Sequence, residues 1–163
     1  MVMNENLKFV LERCDHYIES IQSKSNLYIA LNTFILTGVI TLILSIDKNK
    51  VDDLMYFILV SMVIVSCCSI IKVLDALTPY LKTKNNRSLI FFDDVSKTEF
   101  STFENSYKNV TEEEFRDDLI CQVYSVSKGL SKKYKELNSA GRLVVVQFVL
   151  IIFWIFLYVF KNL

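Results

Sequence analysis

LVVVQFVLIIFWIFLYVF, residues 143–160, contains no charged side chain and is closed on either side by Arg142 and Lys161. At about 1.5 Å of rise per residue, eighteen helical positions cover roughly 27 Å, close to the thickness of a bilayer's hydrocarbon core. Two further charge-free stretches occur earlier, Ser25 to Ile46 between Lys24 and Asp47, and Leu54 to Ile71 between Asp53 and Lys72. The sequence therefore predicts an all-α, multi-pass membrane protein with three transmembrane helices, 25–46, 54–72 and 143–160. Composition agrees, since 52% of the 163 residues are hydrophobic and there are only three glycines and one proline, too few for a fold of many strands and turns.

The distribution of basic residues predicts which side each loop faces. Lys and Arg number eleven in 73–142 and three in 1–24, against two in 47–53 and one in the tail 161–163. By the positive-inside rule the first two are cytoplasmic and the last two external. The first apolar run begins only near residue 25, behind a charged helical segment, so no cleaved signal peptide is expected.

Neither cytoplasmic segment reads as a loop. Leu7, Leu11, Cys14, Ile18 and Ile21 recur at helical spacing, which predicts an amphipathic helix over 1–24 continuous with the first span. In 73–142, Pro79 disfavours helix at Thr78. Ser96 and Glu99 have capping-box spacing and predict a short helix ending near Tyr107 to Asn109, and Thr111 with Glu114 predicts the start of a long one. The stripe Leu119, Val123, Val126, Leu130 and Leu137 then carries that helix toward the third span. Together these segments predict a cytoplasmic helical stalk on a membrane bundle.

Several chemistries are excluded or unsupported by the residues. The formal net charge is zero, which gives no basic field for a nucleic acid polymer. His16 is the lone histidine, and Cys14, Cys67, Cys68 and Cys121 lack metal-ligand spacing and read as small core residues. Glycine-rich phosphate loops, HExxH and nucleophile elbows are absent, so no catalysis, metal or cofactor is expected. Asp93 and Asp94 read as a solvated turn. Within the spans, Thr33, Thr37, Thr41 and Ser45 beside Gly38, together with Ser61, Ser66, Ser69 and Gln147, suit helix–helix contacts or, around an oligomer, a polar path. Trp154 and Tyr158 read as interfacial anchors.

One ordered set of residues resembles a known family. Asp15 and Ser23-Lys24 before the first span, Pro79, Ser88-Leu-Ile-Phe-Phe92, Glu99-Phe100, Asp118-Leu119, Gln122 and Lys132-Lys133-Tyr134 look like the transmembrane effectors of bacterial Pycsar anti-phage defence, the PycTM-type proteins. The likeness runs over nearly the whole chain, with Ser25 standing where the family usually has alanine. The resemblance implies an inner-membrane effector that works with a partner nucleotide cyclase. That enzyme's product, a cyclic pyrimidine mononucleotide (cyclic CMP or cyclic UMP), triggers membrane damage and abortive infection.

A receptor for such a ligand needs a surface for the base and a basic group or N–H for the phosphate. Arg87, Ser88, Phe91 and Phe92 supply those types, with Lys24, Lys132, Lys133 and Tyr134 as further candidates close to the membrane. The two phenylalanines equally suit packing of the connector against the stalk or a place at the headgroup boundary. A homo-oligomer is expected, because three spans from one protomer enclose no sizeable pore. The competing readings are a non-catalytic scaffold that recruits a cytoplasmic protein by helix pairing, or an effector gated by a cyclic oligonucleotide.

Overall fold

A computed structural model describes residues 2–46, 51–79 and 88–163. Its order is α1 (Val2–Ser45), α2 (Asp53–Leu77), α3 (Phe92–Ser96), α4 (Phe100–Asn109) and α5 (Glu112–Asn162), with no strand among the described residues. Contacts divide the chain into two compact units, one from Met1–Ser20 and Pro79–Lys132, the other from Ile21–Thr78 and Lys133–Leu163.

The second unit holds the three apolar runs, and α1, α2 and α5 are each long and apolar enough to cross a membrane. Its core joins Ile35 and Val39 of α1, Met55, Ile58, Leu59 and Met62 of α2, and Trp154 of α5. Outward from that core the surface stays apolar, with Phe34, Leu44, Phe57, Ile152 and Phe156 all exposed. So wide a greasy surface suits lipid and not water. Trp154, expected as an interfacial anchor, is instead buried in the core and stacks on Tyr158 at 5.2 Å between ring centroids. Cys67 and Cys68 also depart from expectation: both are exposed on α2, while Cys14 is buried.

Ion pairs sit at both ends of α2. The N-cap residue Asp52 makes no capping hydrogen bond, and its carboxylate instead pairs with Lys161. Near the other end Lys72 meets Glu136 at 2.9 Å. Asp52 and Lys72 are about 30 Å apart along a helix of this rise, the thickness of a hydrocarbon core. Thr78, held extended at ψ 132° by the following proline, ends α2, and its N–H closes on Leu74 O at 3.0 Å.

A buried polar layer crosses the three helices. Asn32 Nδ2 donates to Tyr28 O at 2.7 Å and to Ser69 Oγ at 3.1 Å, and Ser69 Oγ donates to Ala140 O at 3.3 Å. Gln147 Nε2 donates to Asn32 Oδ1 at 2.8 Å and to Ser66 Oγ at 3.1 Å. All four side chains are fully buried, and Gln147 Oε1 finds no donor. An unpaired buried acceptor costs about 1–3 kcal/mol. Thr33, Thr37, Thr41 and Ser45 lie instead on the exposed side of α1, where Thr37 and Thr41 bond back to carbonyls of their own helix at 2.9 Å.

Gly141 has a steric purpose. A Cβ there would fall 2.8 Å from the Tyr28 hydroxyl oxygen, so the glycine gives that ring room against α5.

Candidate functional site

The first unit contains a cavity of about 680 Å³, formed by the loop at Ser88, by α4 and by the start of α5. One capping signal in the sequence builds its α5 side. Thr111 and Glu114 form the capping box that starts α5: Thr111 donates its N–H and its hydroxyl to Glu114 Oε2, each at 2.9 Å, and Glu114 N–H returns to Thr111 Oγ1 at 3.2 Å. Those bonds, the backbone one first, hold the Glu114 carboxyl below its ordinary value.

The expected Ser96–Glu99 box does not form. Ser96 lies at the end of α3, where its hydroxyl bonds back to Asp93 O at 2.9 Å, and α4 begins four residues later behind Glu99. Ser96 is thus still within α3, and the N-cap position of α4 falls on Glu99, three residues on, out of reach of its hydroxyl.

Ser88 is the hub of the loop. Its hydroxyl donates to Asp118 Oδ2 at 3.0 Å and accepts the N–H groups of Ile90 at 3.1 Å and Phe91 at 3.0 Å. Ser88 N–H goes to Asp94 Oδ2 at 3.1 Å, and Leu89 N–H to Asp118 Oδ2 at 2.8 Å. All four N–H groups from Ser88 to Phe91 are thus taken by the protein itself. Asp94 is buried in this role, which corrects its reading as part of a solvated turn, while Asp93 pairs with Lys97 at 2.7 Å.

The cavity wall is rich in acceptors. Thr98, Thr102 and Ser106 contribute hydroxyls, Asn109 an amide, and Glu114, Asp117 and Asp118 carboxylates, with Phe103 as the aromatic surface. A volume of this size is ordinary for a small-molecule site, and such a wall offers partners to hydroxyl, amino and imino donors. Among the described residues, the wall contains no lysine or arginine.

The candidates named from sequence are distributed unevenly. Ser88 lines the cavity; Phe91 ends the loop and Phe92 opens α3, their rings 5.0 Å apart, Phe91 buried and Phe92 exposed, and neither lines the wall. Arg87 falls outside the described residues. Lys132 is exposed on α5 in the first unit, whereas Lys24, Lys133 and Tyr134 belong to the second. There Lys24 is exposed, Tyr134 is half-buried, and Lys133 Nζ donates to Leu77 O at 3.4 Å near the end of α2. Burial pushes the Lys133 ammonium below its ordinary value.

Sequence reading passed over Phe103, Thr102 and Asn109. Their one signal is the spacing of α4, which sets Phe103 and Ser106 on the same side as Thr102 and Asn109. A family model described as the Pycsar effector protein domain, PycTM, matches residues 6–160. No curated protein and no solved structure matches the chain.

Proposed function

Since the chain belongs to the Pycsar effector family and has a role in anti-phage defence at a membrane, we propose that it is a receptor whose cytoplasmic cavity takes a cyclic pyrimidine mononucleotide and whose membrane helices then breach the inner membrane. The cavity of about 680 Å³ carries this reading. Its acceptors suit the ribose 2′-hydroxyl and the donors on a pyrimidine edge, and Phe103 offers a face for the base. Its carboxylates repel a phosphate, so the nucleotide enters base first and leaves its phosphate to a basic residue. Arg87, next to Ser88 in sequence, and Lys132 of the same unit are the candidates for that contact.

Transmission to the membrane runs through α5, which supplies both Asp118 of the cavity wall and the apolar run 143–160. Ligand that prefers one packing of this helix shifts the population of its membrane segment as well. The protein acts without catalysis, downstream of a cyclase, with its N-terminus in the cytoplasm. Several copies assemble, because three spans line no sizeable pore.

The test is thermal melting of the detergent-solubilised protein against cyclic CMP, cyclic UMP, purine cyclic mononucleotides and cyclic dinucleotides, followed by dye release from liposomes. A rise in melting temperature with one pyrimidine nucleotide, lost in Phe103→Ala, supports the cavity as receptor. A rise unchanged by Phe103→Ala moves the site elsewhere, and no rise across the panel removes the receptor reading.

A further inference from the structure

We infer that the buried layer of Asn32, Ser66, Ser69 and Gln147 is a metastable lock, which specifies the resting packing of the three membrane helices while keeping that packing easy to leave. The layer draws one or more side chains from each of α1, α2 and α5 and is sealed from solvent. Polar groups that find partners across helices fix which faces meet, since a register shift strands them in an apolar medium.

The lock is also incomplete. Gln147 spends its amide nitrogen on Asn32 and Ser66 and leaves Oε1 without a donor. A half-satisfied buried amide, as Gln147 is, favours any alternative packing that completes it, so the resting arrangement is held with a narrow margin. The two serines differ from the two amides in this respect. A serine hydroxyl can fall back on a carbonyl of its own helix, as Ser61 does with Phe57 O at 2.8 Å, whereas Asn32, with one bond to Tyr28 O of its own helix, and Gln147 are joined to each other across helices, Nε2 to Oδ1. Removing one amide therefore frustrates the layer further, and removing both relieves it.

Asn32→Leu, Asn32→Leu/Gln147→Leu and the wild type are compared in two ways, by apparent melting temperature in detergent and by dye release from liposomes of phosphatidylethanolamine and phosphatidylglycerol. The single variant should melt lower by about 3 °C or more and leak without any nucleotide. The double variant should melt at or above the wild type and stay tight with cyclic CMP or cyclic UMP present. If Asn32→Leu does not accumulate, Gln147→Leu takes its place, since it strands the Asn32 carbonyl.

A double variant that melts below the single one, as two independent packing losses would, overturns the lock, and so does one that leaks on nucleotide like the wild type. The leak part of this inference rests on the effector reading above. Wild-type liposomes that stay tight with every nucleotide remove that reading, and the melting order of the three proteins then decides the lock by itself.

Discussion

The hydroxyl of Ser88 and the carboxylate of Asp118 meet at 3.0 Å although 30 positions separate them. The same carboxylate oxygen takes Leu89 N–H at 2.8 Å, so one residue of α5 fixes the loop that borders the cavity. Asp118→Leu should destabilise the protein by about 2–3 kcal/mol, because it strands two donors, whereas Asp118→Asn keeps an oxygen acceptor and should lose less. Urea unfolding followed by tryptophan-independent circular dichroism reads the difference. Equal midpoints for the wild type and Asp118→Leu would mean that something else holds the loop.

Acid should loosen the start of α5. Glu114 has its folded value below the ordinary 4.5 because Thr111 donates to its ionised form. A carboxyl lowered in this way stabilises the folded state above its unfolded value, and that contribution is lost as pH falls through the folded value. Amide hydrogen exchange at Thr111, Glu114 and Phe115 should therefore lose protection below about pH 4.5, and Glu114→Gln should flatten the pH dependence. A Gln variant that retains the full acid response would assign it to another group.

Lys133 carries a charge that burial disfavours. Burial lowers its ammonium from the ordinary 10.5, so the unfolded chain holds the proton more tightly and stability rises with pH through the folded value toward 10.5. Lys133→Met removes the charge that burial penalises, and its melting temperature should match or exceed that of the wild type. A lower melting temperature would mean that the bond from Lys133 to Leu77 O outweighs the burial of its charge.

At Gly141 two effects oppose one another. Alanine favours helix by about 1 kcal/mol over glycine, but its Cβ would press on Tyr28, 2.8 Å from the hydroxyl oxygen and 3.3 Å from Cζ. We expect the contact to dominate, so that Gly141→Ala lowers the melting temperature and Tyr28→Phe added to it recovers most of the loss. A stabilised single variant would show that the ring turns away freely.

The fold class was legible because long charge-free runs admit few structures besides membrane helices, and the α5 start because a capping box is a local signal. What escaped was register. Asn32 shares a helix face with Ile35 and Val39, three and seven residues on, and so points inward, while the conspicuous threonines one position later point outward. A run that is apolar on all sides does not advertise which stripe faces the core. Trp154 misled for the same reason, its position near a span's end outweighing the unmarked face it shares with Leu150 and Ile151. The cavity was half legible. Ser88 was singled out, but its acceptors at Asp94 and Asp118 and the aromatic at Phe103 come together only in three dimensions.

Cys67 and Cys68, neighbours on the outer side of α2, give the molecule a built-in hygrometer. Thiols react with water-borne maleimides through the thiolate, which forms in water and not among acyl chains. In an intact bilayer these two should resist labelling, and any labelling that begins when a nucleotide is added would time the arrival of water at the middle of the second span.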